Sequence, residues 1–327
     1  MDLLREPLGP LRFTPILRRA LWGGRKLATH LGKPLGDGSD YSESWEVCDL
    51  DSTTSRVSAG PLLGTTLHEL VVFRGQDLLG RHHPQVRFPL LFKFLDARET
   101  LSVQVHPDDG RARAAKPGEC GKTEAWVVLD AEPDSLVYSG FKPGVNRQSF
   151  EEAAERGACG NYLHCFRPRV QDCVYVPAGV PHALGAGMLV AEIQQPSDTT
   201  YRLYDWDRRD DQGKLRPLHV EAALDAIDYC CGPVTPRTPI DLGRPGCSRL
   251  VECQKFVMDR WTINFASQLG GDGRCHLLAV LSGNVTVQGD PTPEPLSMGG
   301  TILLPASAGA LTVTPGSSAM LLDIYLP

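Results

Sequence analysis

No stretch of this 327-residue sequence approaches the roughly 18 uninterrupted apolar residues of a membrane span. It has no run of lysine and arginine either, and 33 basic against 39 acidic side chains leave a net charge of −6. Together these absences exclude a membrane partner and a broad surface for nucleic acid, so a bound anion must be held by a few placed cations. The opening, MDLLREPLGPLRFTPILRRALWGG, sets charges and prolines where a secretory signal needs an apolar core. Among the ten cysteines there is no Cys-x-x-Cys, only the adjacent pair Cys230–Cys231, so they read as reduced thiols of a cytoplasmic protein. A P-loop and a Gly-x-Gly-x-x-Gly are also missing, which argues against a nucleotide.

Present in quantity are 33 glycines and 26 prolines, spread along the chain. They punctuate short period-2 runs at Leu101–His106, Thr123–Leu129, Cys173–Val176, Met188–Gln195 and Tyr201–Trp206. A later set occupies Leu277–Gln288, Thr301–Leu304 and Ala319–Tyr325. Runs of this length between turn residues predict a mainly β protein, a sandwich or barrel. Helices are expected only at Ser149–Gly157, with a capping box of Ser149 and Glu152, and at Pro217–Asp228, with a further turn or two in the first 30 residues. Residues 232–248 are rich in proline and glycine and read as a linker, dividing a domain at 1–231 from a smaller one at 249–327.

An internal comparison fits that division. QDCVYVPAGVPH at Gln171–His182 and GGTILLPASAGA at Gly299–Ala310 are both strands running into Pro-Ala and a small-residue turn. Aligning Pro177 with Pro305 sets His182 opposite Ala310, so the second unit is expected to lack metal ligands.

Three segments concentrate polar side chains that packing does not explain. Alternation in LSVQVH puts Ser102, Gln104 and His106 on one face and Leu101, Val103 and Val105 on the other; in GKTEAW it aligns Lys122, Glu124 and Trp126. PAGVPHALG presents His182 at a strand end. Two histidines and a carboxylate suffice for a zinc site with an open position, and suit non-haem iron as well; the Gln104 amide oxygen is a further candidate ligand. The other seven histidines read as hydrogen-bonded or surface imidazoles. Lys93 interrupts the apolar run PLLFKFL. Either it lies on an edge strand and snorkels to water, or it faces a polar interior and, with Lys122 and Arg202, holds an anionic substrate such as a phosphate.

LFKFLDARETLSVQVHPDD, GKTEAWVVLDAEP, VYVPAGVPHALGAG and AEIQQPSDTTYRLYDWDR closely resemble the type I mannose-6-phosphate isomerases in their short bacterial form, as do LWGG and ESWEV. The likeness runs in order from Leu21 to Asp207. It implies a cupin fold with a smaller C-terminal cupin-like domain, one Zn2+ per chain, and interconversion of mannose 6-phosphate and fructose 6-phosphate through an enediol. The family's metal ligands fall on Gln104, His106, Glu124 and His182, and its essential arginine on Arg202. Lys93, Ser102, Lys122, Glu43 and Asp198 match positions lining its substrate pocket, with Trp22 in the wall. Asp198, Glu43, a lysine with a depressed pKa and a metal-bound hydroxide all remain candidates for the base. Cupins usually open the second motif with Gly-Asp, and this chain has Gln171-Asp172. The expected partner is a small phosphosugar, with a monomer as the default. The alternatives are another metal-dependent cupin enzyme, or a non-catalytic sugar-binding cupin, which has no need of the three cations.

Overall fold

Short alternating strands that end at glycine and proline stack as two-sheet sandwiches, and this chain does so twice. The computed structural model describes residues 8–210 and 212–327. Its first part contributes β1 (Ile16–Gly24), β2 (Tyr41–Val47), a small hairpin β3–β4 (Asp49–Leu50, Thr53–Thr54), β5 (Leu91–Ala97), β6 (Val103–Val105) and β7 (Glu124–Ala131). There follow β8 (Val137–Phe141), β9 (Leu163–Phe166), β10 (Cys173–Val176), β11 (His182–Leu184), β12 (Met188–Gln194) and β13 (Tyr201–Tyr204). The second part holds β14 (Ile240–Asp241), β15 (Cys247–Glu252), β16 (Val257–Ile263), β17 (Ser267–Gly270) and β18 (His276–Ser282). It is completed by β19 (Asn284–Val287), β20 (Leu296–Ser297), β21 (Thr301–Leu304), β22 (Ala310–Pro315) and β23 (Ala319–Tyr325).

One strand order is used in both parts. Six strands run β1-β2-β5-β12-β7-β10 in the first and β14-β15-β16-β23-β18-β21 in the second. The facing sheets are β13-β6-β11-β8-β9 and β17-β22-β19-β20, so β11 and β22 are counterparts, and they begin at His182 and Ala310. The sequence comparison that paired these two residues therefore has a topological basis.

Alternation sorts the six-stranded sheets by face. Phe92 and Phe94 of β5, Ala125 and Val127 of β7, and Ala191 and Ile193 of β12 join Met258, Leu277, Ala279, Leu322 and Ile324 in one core shared by the two sandwiches. From the other face of the first sheet, Leu95, Trp126, Val128 and Val190 fill one end of the first sandwich together with Trp22, Val174 and Leu184. Residues 232–248 are tied down along their length: Val234 N–H donates to Ser139, Arg237 N–H to Cys173, and β14 pairs with β15.

Several boundaries differ from expectation. The capping box of α4 (Arg147–Glu155) is Asn146 with Ser149, one turn earlier than predicted, because Asn146 bonds the Ser149 N–H and leaves Ser149 inside the helix. The second predicted helix shortens to α5 (Val220–Ala226). Gly283, at φ 72°, splits the run Leu277–Gln288 into β18 and β19. Leu101 precedes β6 and packs with Leu95 and Trp126, not with Val103 and Val105. The short α1 (Lys26–Thr29) is the turn expected in the first 30 residues, but two helices were missed: α2 (Leu67–Leu79), with a Thr66–Glu69 capping box, and α3 (Asp109–Ala115), capped by Asp108. All ten cysteines are unpaired.

Candidate metal centre and substrate pocket

Lys93 sits on a central strand between β2 and β12, which removes the edge-strand alternative. Along this sheet, register sets Trp45, Lys93, Glu192 and Trp126 side by side on β2, β5, β12 and β7. From the facing sheet, Gln104 of β6 lies between His182 of β11 and Arg202 of β13. The first row comes from one face of a pleated sheet and the second from the opposing sheet, so both point into the same interior.

The metal-ligand set converges there. Oxygen and nitrogen atoms of His106, Glu124 and His182 all lie within 4.8 Å of one another, and the three residues are buried. Glu124 approaches His106 Nε2 at 3.4 Å and His182 Nε2 at 3.3 Å. Each imidazole has its Nδ1–H occupied by a carbonyl, Thr199 for His106 at 3.0 Å and Val180 for His182 at 2.8 Å. A carbonyl only accepts, so both rings carry the proton on Nδ1 and turn a lone pair on Nε2 toward Glu124. Burial and the neighbouring Lys122 push the His106 pKa well down, and burial lowers that of His182, so both rings are neutral.

His106 Nε2 and Glu124 Oε2 are buried with no hydrogen-bond partner. Lys122 Nζ stands 3.1 Å from Glu124 Oε2 as an ion pair, but among the described residues nothing electropositive meets His106 Nε2, and a divalent cation with N and O ligands would do so. Gln104 directs its amide nitrogen at His182 Nε2, 3.2 Å away, so its oxygen becomes a ligand only after the amide turns end for end.

The turn before His182 is fastened to the same site. Gly179 adopts φ 88°, a conformation open to glycine, and donates its N–H to the His106 carbonyl at 2.9 Å. Ala178 N–H bonds Thr123 Oγ1. His182 itself opens β11, fully buried, with its ring 4.9 Å from that of His106 and 5.4 Å from that of Trp126.

A cavity of about 460 Å³ reaches this site at Gln104 and Glu124, and Trp22, Glu43, Lys93, Ser102, Lys122, Asp198 and Arg202 all line it. The structure thus brings the sequence-derived set together. Lys93 reaches Glu192 at 3.4 Å and Glu43 at 3.6 Å; burial opposes its charge, but Glu192 and Glu43 outweigh burial and hold the ammonium protonated. Lys93 therefore drops out as a base. Lys122 contacts Glu124 at 3.1 Å and Glu192 at 3.8 Å. Burial works against ionisation of Glu124, yet Lys122 draws its pKa down; burial holds Glu192 up against the pull of Lys93.

Glu192, Arg18, Arg19 and Arg216 also line the cavity and were not singled out from sequence. Glu192 carried a usable signal, a charge alternating with Val190 and Gln194 inside an otherwise buried strand. The arginines carried none, since exposed arginine is ordinary. Burial and the nearby Arg216 lower the Arg202 pKa, and Arg202 Nε is buried with no hydrogen-bond partner.

Cys173 faces the shared core on the other side of β10, its thiol pushed up to about 12 by burial, and takes no part in the site.

Residues 11–128 match the family model described as phosphomannose isomerase type I, catalytic domain. A probable mannose-6-phosphate isomerase of Bacillus subtilis, GmuF, is 34% identical over 313 residues, covering 93% of this chain and 96% of the relative. The mannose-6-phosphate isomerase of Streptococcus mutans is 34% identical over 301 residues, covering 90% and 92%. A crystal structure of the mannose 6-phosphate isomerase from Bacillus subtilis superposes with a TM-score of 0.88 at 30% identity, over 98% of this chain and 100% of that one. With the strand order, the buried ligand set and this likeness over nearly the whole length, the chain belongs to the type I phosphomannose isomerases, enzymes of the cupin fold.

Proposed function

We propose that this enzyme interconverts mannose 6-phosphate and fructose 6-phosphate, with one zinc ion held by His106, Glu124, His182 and the turned Gln104 amide. The single observation that carries the metal assignment is the convergence of the orphaned buried acceptor His106 Nε2 with Glu124 and His182, the two histidines having fixed tautomers. When bound, zinc supplies Lewis acidity to the oxygens of the reacting carbons.

The reaction moves a proton between C1 and C2 and passes through an enediol. Arg202 faces the ligand set from β13 and stays protonated, so it stabilises the negative charge that develops on oxygen. Glu43 and Asp198 line the cavity as carboxylates with access to a bound sugar, and are the proton carriers this reading favours. Lys93 and Lys122 are each engaged by buried carboxylates and Arg19 is paired with Asp40, so the net positive charge for a phosphate lies at Arg216 and Arg18. Phosphate binding there positions C1 and C2 at the depth of the metal.

The test is an assay that couples fructose 6-phosphate formation to a chromogenic reaction, run with mannose 6-phosphate before and after chelation, with metal analysis of the purified protein. Turnover that falls on chelation and returns with zinc supports the reading. A zinc-loaded, folded protein with no turnover on mannose 6-phosphate overturns it. Arg216→Ala is expected to raise KM about 10-fold or more with kcat little changed, since it removes a contact made equally before and during reaction. A fall in kcat alone would place Arg216 at the reacting carbons instead.

A further inference from the structure

The second sandwich repeats more than a strand order. Asp259 of β16 stands opposite Asp323 of β23 as Lys93 of β5 stands opposite Glu192 of β12. His276 opens β18 and stands opposite Tyr325 and Leu304, as Glu124 opens β7 opposite Gln194 and Val176. One end of this sandwich is filled by Leu278, Val280, Ile302, Leu321 and Val313. At the other end lies a cavity of about 400 Å³, in the place where the first sandwich has its substrate pocket.

The lining differs in charge. Three arginines and His276 face four carboxylates, and most are already paired. Arg249 bonds Asp259 and Tyr325 Oη; Tyr325 Oη donates to Asp259 at 2.8 Å. His276 Nδ1 donates to Asp323 at 2.7 Å and Nε2 to Asp272 at 3.1 Å. Such a surface gives a free phosphate little to bind, because every carboxylate adds repulsion and Arg249, Arg274 and His276 are engaged, which leaves only Arg244. It also disfavours a metal ion, since both nitrogens of His276 are committed as donors.

Two buried N–H groups on this lining are left over. Trp261 Nε1 has no acceptor, and Arg274 Nε, 3.5 Å from Asp272, makes no hydrogen bond. Their unmet need, beside carboxylates that retain free lone pairs and the indole of Trp261, matches a ligand whose groups both donate and accept and whose ring carries C–H faces. A cavity of this size lies within the range of small-molecule sites.

We propose that the C-terminal sandwich holds a second, non-catalytic binding site for a neutral monosaccharide, with Trp261 as its wall and Arg249, Asp259, Arg274 and Asp323 as its hydroxyl partners. This does not depend on the isomerase reading, because the test reads Trp261 directly.

The experiment uses the full metal-loaded chain labelled with ¹⁵N at the tryptophan indoles. Five indole signals are expected, with that of Trp261 assigned by its loss in Trp261→Phe. D-mannose, D-fructose and D-glucose are titrated in turn, with inorganic phosphate as the charged control, all in the presence of saturating mannose 6-phosphate. The expected result is a saturable shift of the Trp261 signal with at least one neutral sugar and none with phosphate. Calorimetry should show Trp261→Phe binding that sugar about 2- to 10-fold more weakly, as for one lost neutral hydrogen bond, with isomerase kcat/KM unchanged. A Trp261 signal that stays still with every sugar, or moves with phosphate alone, overturns the proposal. If Trp261→Phe does not fold, Glu252→Gln, whose side chain lines the cavity, pairs with Arg249 and is 66% exposed, replaces it in the calorimetry; unaltered sugar affinity there counts against the site.

Discussion

Gln171 is a glutamine in a glycine's conformation. Its φ of 75° lies in the left-handed region, and its N–H bonds the Val128 carbonyl, so the turn into β10 is held despite the side chain. A side chain in this region costs roughly 1–2 kcal/mol. Gln171→Gly relieves that cost while loosening the unfolded chain, so a net gain of at most about 1 kcal/mol is expected, measured as a higher urea midpoint at unchanged slope. A loss of stability would mean that the Gln171 side chain makes a compensating contact. At the same scale, Glu192 joins Lys93 and Lys122 through one buried carboxylate. Glu192→Gln keeps the shape and removes the charge, and is expected to weaken metal affinity about 10- to 100-fold, read by competition with a chelator. His182, placed by the sequence at a strand end, opens β11 in the packed interior. Being buried against two rings, it leaves a cavity when changed to alanine, so His182→Gln is the better test of metal loss with the fold intact.

These residues also show what was legible. Gln104, His106, Glu124 and Lys93 stood out because a polar side chain among buried apolar ones has few explanations. Arg216 did not, because its place in the cavity lining depends on how a loop after β13 returns to the site, and no local pattern encodes that return.

Among the elements, α2 is the instructive omission. Thr66 and Glu69 are spaced as a capping box, and Thr66 Oγ1 accepts the Glu69 N–H while Glu69 returns to the Thr66 N–H. The apolar residues behind them, Leu67, Leu70, Val71, Leu78 and Leu79, are interrupted by a non-helical Arg74 at φ −130°, which blurred the 3.6-residue period. Thr66→Ala is expected to cost about 1 kcal/mol in chemical denaturation. The β18–β23 pair carries its own pH response. Burial opposes charging of His276, but Asp323 and Asp272 raise its pKa to about 9, with Tyr325 packed on the ring and Arg274 nearby. A raised pKa stabilises the fold fully below the unfolded value near 6.5, and the contribution fades as pH climbs from there through about 9. Stability of the parent should therefore fall across that window, and His276→Gln should show a shallower fall. Equal slopes would remove His276 as the cause.

For the molecule as a whole, the deciding feature is the core shared between the two six-stranded sheets. Phe256, Met258, Leu322 and Ile324 from the second part are buried with Phe92, Phe94 and Ile193 from the first. Phe256→Ala is expected to cost about 3–5 kcal/mol. It should also lower isomerase stability in step with that of the C-terminal part, in one cooperative transition by calorimetry. Two separated transitions would show that the sandwiches fold independently. The proline-rich stretch at 232–248 suggested looser coupling, since composition reports flexibility in an unattached chain and not the hydrogen bonds that fasten this one.

The pleat of β5, β7 and β12 has a consequence for how this chain can change over time. On each of these strands alternate positions face different surroundings: Lys93, Glu124 and Glu192 the cavity, Phe94, Ala125 and Ile193 the core shared with the other half of the protein. Substitutions can accumulate on one parity without disturbing the other, whereas a single inserted residue exchanges the two and destroys both. Drift by replacement is therefore tolerated along these strands, and drift by insertion or deletion is confined to the turns between them.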